Sequence, residues 1–84
     1  MYKIEWKPKA YRQFKKIVEK KIKLSILDTI DTLENWPDCK QVKSLKNRED
    51  YRLRVGRWRV IFDVNKKIKI IKIEEVKKRD EHTY

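Results

Sequence analysis

An α+β fold, with a helical hairpin packed on a small antiparallel sheet, is predicted by three features of this chain. A segment of helical composition runs from about Pro8 to Asn35 with no glycine or proline inside it. Stretches of apolar–polar alternation stand on both sides of that segment. Their order is β-α-α-β-β-β with a basic C-terminal tail, and strands segregated from helices in this way point to helices layered on one sheet. The 84 residues suffice for one domain, 1–84, in which every apolar residue counts toward a core of modest size.

Tyr2, Ile4 and Trp6 alternate with Lys3, Glu5 and Lys7, the period of a strand with one buried face. Pro8 suits the first turn of a helix, where its missing N–H costs nothing. Phe14, Val18, Ile22, Ile26 and Ile30 then recur at i+4. Each such step drifts about 40° around a helix of 3.6 residues per turn, so four steps carry the stripe most of the way to the opposite side. A single straight helix could not bury that stripe on a flat sheet. Two helices are expected, broken near Glu19 to Ile22, the second burying Ile26, Ile30 and Leu33 with help from Leu27. Asn35-Trp36-Pro37-Asp38 ends the second helix, with Trp36 covering its end.

Residues 37–50 read as a polar connection anchored by Val42 and Leu45. Three strands follow: Tyr51 to Gly56, Trp58 to Val64 and Ile68 to Val76, the last two separated by Asn65-Lys66-Lys67. The last strand has apolar residues at both parities, so both its faces are expected to be covered, toward the middle of the sheet. Lys77 to Tyr84, KKRDEHTY, has no apolar periodicity and reads as a charged tail.

The stretch YRLRVGRWRVIF (Tyr51 to Phe62) carries the chemistry. Gly56-Arg57 is the Gly-X pair of a two-residue type II′ turn, which pairs Val55 with Trp58, Arg54 with Arg59, Leu53 with Val60, Arg52 with Ile61 and Tyr51 with Phe62. Cross-strand partners share a face. Tyr51, Leu53, Val55, Trp58, Val60 and Phe62 therefore form an apolar face, while Arg52, Arg54 and Arg59 emerge together on the other, with Arg57 at the turn. Like charges directly opposite one another destabilise a sheet, so the cluster runs against fold stability. Either it is a solvated face relieved by Asp63 or Glu74, or it binds an anion. Guanidinium forks match phosphate oxygens bidentately, which favours phosphate.

The overall balance agrees. Lys and Arg number 24 against 13 Asp and Glu, a net charge of +11, which predicts a nucleic acid or an acidic protein as partner. No apolar run is long enough to span a membrane, and no stretch combines a basic face with a broad apolar one. A lone cysteine, Cys39, makes no internal disulfide and fits a cytoplasmic setting. Cys39 and His82 do not make a metal site by themselves, and no metal or cofactor is expected.

The residues VKSLKNREDYRLRVGRWRVIFDV (Val42 to Val64), the β-α-α-β-β-β order and the basic tail ending in Tyr together resemble the RelE/ParE superfamily of toxins from toxin–antitoxin pairs. The resemblance implies a helical hairpin on an antiparallel sheet, as the periodicities do. It also implies one of two activities. RelE-like members are ribosome-dependent endoribonucleases that cut mRNA in the A site; ParE-like members poison DNA gyrase. On the RelE side, Arg52, Arg54 and Arg59 occupy the active-site positions, Lys78 or Arg79 supplies a further cation, and Tyr84 stacks on a base. His82 is the candidate acid, and Lys43, Lys46, Arg57 and Lys77 would hold RNA.

The 2′-OH attacks the adjacent phosphate and the 5′-oxygen leaves, so a base must take the 2′-OH proton, cations must hold the developing charge and an acid must protonate the leaving oxygen. Arginine is unsuited to the base role, which leaves Lys43, Lys46, Glu49, Asp50 and His82 open. An acidic antitoxin and a ribosome with bound mRNA are the partners implied, with the toxin–antitoxin complex binding its own operator DNA through the antitoxin. A non-catalytic nucleic-acid-binding module and an inactive relic are the remaining alternatives.

Overall fold

A computed structural model of the chain describes residues 1–39, 42–44 and 50–78. The N-terminal alternation forms strand β1 (Lys3–Trp6), and Pro8 opens helix α1 (Pro8–Lys15). Helix α2 (Lys20–Asp31) passes into a 3-10 turn (Thr32–Asn35). The chain returns through β2 (Val42–Ser44), β3 (Tyr51–Val55), β4 (Trp58–Asn65) and β5 (Ile70–Lys78). These strands make one sheet in the order β1-β5-β4-β3-β2.

Two parts of the sheet differ from the sequence reading. β1 lies parallel to β5, with Lys3 beside Ile70 and Trp6 beside Ile73, so the sheet is mixed rather than wholly antiparallel. A parallel pair needs a long crossover, and both helices and three strands lie between these two partners in the chain. The connection 37–50, expected to be a loop, contains β2, which pairs antiparallel with β3 through Val42–Leu53 and Lys43–Arg52. Three residues with one apolar side chain carry no readable periodicity. Val42 does pack against the core; Leu45 lies outside the described residues.

The helical break falls earlier than expected. Lys16 N–H donates to Arg12 O at 3.3 Å and Ile17 N–H to Phe14 O at 3.1 Å, closing α1, and α2 starts at Lys20. The i+4 stripe therefore fails at Val18, which is 92% exposed, and Ile17 joins the core instead. Ile26, Ile30 and Leu33 are buried as the second stripe requires, and Leu27 is half-buried. Trp36, expected only to cover the helix end, packs edge-on against Tyr51 and Phe62, with ring centroids 4.7 and 5.6 Å away. These residues meet Leu53, Val60, Phe62, Ile71, Ile73 and Val76 of the sheet in one core.

β5 starts at Ile70 rather than Ile68 and continues to Lys78, so Lys77 and Lys78 belong to the strand and not to the tail. Asn65 Oδ1 accepts from the N–H groups of Lys67 and Ile68, holding the preceding turn, and Ile68 is exposed. The apolar residues at both parities have a different cause from the one expected. Ile61 pairs with Glu75 and Phe62 with Ile73, leaving Glu74 as an extra, bulged residue. A bulge shifts the alternation by one. Ile71, Ile73 and Val76 thus share the buried face with the helices, while among the described residues no helix packs over the other face of β5, which the sequence suggested would be covered too.

α1 covers the part of β5 that β1 is too short to reach. Beyond the β1 pairing, Lys7 N–H donates to Ile73 O at 3.0 Å. Gln13 Oε1 then accepts from Val76 N–H at 2.8 Å, standing in for a strand partner. α1 consequently lies at the sheet edge, where its side chains can reach the uncovered face.

The β3–β4 hairpin has the register predicted, from Tyr51–Phe62 to Val55–Trp58. Gly56 sits at φ +58, and Arg57 is not in the left-handed region, as a type II′ turn requires. A Cβ added at Gly56 meets nothing within 4 Å. Gly56→Ala should therefore act through backbone strain alone, about 1–2 kcal/mol. That corresponds to a fall in Tm of roughly 4–8 °C per kcal/mol for a domain of this size, measurable by thermal unfolding.

Candidate nucleic-acid interface

Register fixes which charges meet. On the uncovered face one cross-strand row runs Arg54–Arg59–Lys77, and the next runs Lys43–Arg52–Ile61–Glu75. Lys43, Arg52, Arg54, Arg59 and Lys77 thus share one end of this face, near the hairpin turn. At the other end the row is Glu5–Lys72–Asp63, which alternates in sign. Like charges directly opposite cost a few tenths to about 1 kcal/mol per pair. The accumulation is local, and a total stability of about 5–15 kcal/mol can carry it. A shallow depression of about 250 Å³ opens among Val42, Lys43, Arg52 and Arg54. Ile61 lies in the same face at 8% exposure, between Arg52 on β3 and Glu75 on β5.

The sequence-predicted residues separate into three groups. Arg52, Arg54, Arg59, Lys43 and Lys77 come together. Lys78 and Arg57 do not. Lys78 pairs with Trp58, on the helix side of the sheet, and both Lys78 and Arg57 border a larger depression of about 390 Å³ between α2 and the hairpin turn. Of the two neighbouring lysines, Lys77 is the one on the arginine face. Lys46, Glu49, Arg79, His82 and Tyr84 lie outside the described residues, and Asp50 stands just before β3. Cys39 is half-buried, its Sγ 3.4 Å from Thr32 O as donor, and burial together with the charge of Asp38 raises its pKa. That is the setting of an unreactive thiol.

Two residues of this region were missed from sequence. Glu75 Oε1 accepts from Lys9 Nζ at 2.7 Å and lies 3.2 Å from Lys77 Nζ. Glu74, expected to relieve the arginines, instead accepts from Lys7 Nζ at 2.8 Å. Period two from Lys77 would have placed Glu75 on the arginine face; nothing in the sequence brings Lys9, 66 residues away, to the same spot. The hydrogen bond from Lys9 holds the Glu75 carboxyl below its ordinary 4.5, with Lys77 acting in the same direction and burial against both.

A carboxyl depressed in the folded state stabilises the fold above its unfolded pKa, and this contribution is lost as pH falls through the folded value. Glu75→Gln should therefore lower stability more at pH about 7 than at pH about 3, since the deficit shrinks as the carboxyl protonates. Urea unfolding at the two pH values measures this; an equal deficit at both would mean that the ion pairs contribute nothing.

Among the described residues no helix is long and apolar enough to cross a membrane. The fold is shared with solved toxin structures. The archaeal RelE of the RelE–RelB complex from Pyrococcus horikoshii superposes with TM-score 0.81 at 29% identity, covering 95% of this chain and 97% of the other. The isolated Escherichia coli RelE toxin gives 0.82 at 12% identity, covering 99% and 89%. A YoeB/ParE toxin from Agrobacterium tumefaciens gives 0.78 at 13% identity, covering 90% and 96%. No match is found among curated proteins. The family model described as the ParE toxin of type II toxin–antitoxin systems, parDE, matches residues 4–83. With nearly its whole length inside that match and its fold shared with RelE structures, the chain belongs to the ParE toxin family of type II toxin–antitoxin systems, within the RelE/ParE superfamily.

Proposed function

We propose that this chain is a metal-independent, ribosome-dependent endoribonuclease, cutting mRNA in the A site and arresting translation. The observation that carries the reading is the arginine end of the uncovered face, where Arg52, Arg54, Arg59 and Lys77 stand in fixed register. Attack of a 2′-OH on its adjacent phosphate builds negative charge on the phosphoryl oxygens, and preorganised cations stabilise that charge most. Rigid strands supply them without the reorganisation that loop residues would need. Tyr84 stacks on a base and Lys78 or Arg79 and His82 assist, as the resemblance implies. The Lys78 position on the helix side favours Arg79 for that cation. Lys46 and Arg57 hold RNA farther from the cut.

An acidic antitoxin neutralises the chain by covering this surface, and the pair binds its operator through the antitoxin. The RelE chains of Pyrococcus horikoshii, Mycobacterium tuberculosis and Methanococcus jannaschii, solved with their antitoxins, support such a partner.

A second reading, inhibition of DNA gyrase, is favoured by the parDE description of the matching family. Expression in a sensitive host separates the two. The ribonuclease predicts messages truncated at codon positions within reading frames. The gyrase inhibitor predicts intact messages, trapped gyrase–DNA cleavage complexes and a DNA-damage response.

A further inference from the structure

Lys77 is a weak candidate for phosphate binding if considered alone. Its side chain is 56% exposed, and it stands directly opposite Arg59, which itself stands opposite Arg54. Repulsion along that row should push a flexible ammonium out toward water, and a long lysine side chain loses rotamer freedom when it is held back. Among the described residues, Glu75 is ion-paired with Lys77 and opposes this. It is two residues away on the same strand and the same face, only 19% exposed, and its Oε1 is 3.2 Å from Lys77 Nζ. Its own position is set from the other side by Lys9, at 2.7 Å, from the helix that caps the sheet edge. Among the described residues the charged groups against Glu75 are Lys9 on α1 and Lys77 on β5, while its cross-strand partner on β4 is Ile61.

We infer that Glu75 is the positioning residue of the phosphate site: by bridging Lys9 and Lys77 it fixes the Lys77 ammonium beside Arg59 and brings the α1 lysine to the same edge, where both contact the RNA backbone. This deepens the ribonuclease reading and rests on it for the identity of the ligand. An ammonium carries three N–H donors. One from each lysine goes to Glu75, and the others remain for phosphate oxygens. The arginines recognise the phosphate by their forks; the two lysines extend the grip along the chain of phosphates toward α1.

A double-mutant cycle tests this with a single-stranded RNA oligonucleotide made uncleavable by 2′-O-methyl riboses. Affinity is measured for the parent chain, Glu75→Gln, Lys77→Met and the double variant, at several salt concentrations, with Tm recorded for each. Lys77→Met should weaken binding roughly fivefold in the parent and reduce the salt slope by about 0.7, but change affinity less than twofold once Glu75 is Gln. Equal losses in the two backgrounds overturn the inference, because a carboxylate that merely docks α1 would not couple to Lys77 in RNA affinity. If Glu75→Gln does not fold, Lys9→Met, which releases Glu75 from the helix side, takes its place in the cycle with the same two outcomes. Coupling in a chain that never cuts ribosomal mRNA would overturn the ribonuclease reading and keep the inference. Cutting without coupling would overturn the inference alone. No RNA binding by the parent chain overturns both.

Discussion

If the chain is the proposed ribonuclease, Arg59→Ala should lower cleavage of ribosome-bound mRNA by about 10²–10³-fold, the usual loss when one preorganised donor to a developing oxyanion is removed. Arg59 is the centre of its row, with Arg54 on one side and Lys77 on the other. Among the described residues no other cation of the face is paired with cations on both sides. The substitution removes a like charge from a crowded row and leaves the core side chain of the neighbouring Val60 in place, and Tm reports its net effect on the fold. Arg59→Lys should recover only part of the activity. It restores the charge but not the planar fork that binds two oxygens at once. Single-turnover cleavage rates, with Tm as the control for folding, measure both variants. An Arg59→Ala rate within twofold of the parent would remove Arg59 from the mechanism.

Phe62→Ala should have the largest effect on stability. Phe62 is fully buried at the centre of the core, with its ring 5.6 Å from both Tyr51 and Trp36. Truncation of a buried Phe typically costs 3–5 kcal/mol, from lost transfer energy plus the cavity left behind. A domain has about 5–15 kcal/mol in total, so the variant is expected to lose roughly between a fifth and nearly all of its stability. Chemical denaturation at 25 °C should show a midpoint shifted strongly down with little change in slope. Because Phe62 is on the opposite face from Arg59, any loss of activity in this variant should follow the folded fraction and not the chemistry.

The hairpin was legible in the sequence because each of its rules is local. Gly56 sets the turn, the turn sets the register, and the register sets which face each arginine occupies. The second helix was legible for the same reason, through Ile26, Ile30 and Leu33. What escaped the sequence depends on contacts made at long range. β2 has too few residues to show a period. The parallel pairing of β1 with β5 depends on where the helices lead the chain. The bulge at Glu74 mixed two parities in the last strand and was mistaken for burial on both faces.

The candidate site divides in the same way. Its arginines were placed on one face by register alone, and Lys43 joined them only because β2 exists. Lys77 and Lys78 were assigned to a tail, and it took the length of β5 to separate them, one to each face. Glu75 could have been placed by alternation from Lys77, yet its two lysine partners could not, since Lys9 arrives from a helix at the sheet edge.

The most direct measurement is cleavage by the purified chain on ribosomes programmed with a defined message, with the 5′ ends of the products mapped to the nucleotide. The proposed ribonuclease should give cuts within the A-site codon that require the ribosome, fall about 10²–10³-fold in Arg59→Ala and are blocked by the cognate antitoxin. Intact message at a concentration of the chain that stops growth, together with trapped gyrase–DNA complexes, would contradict it.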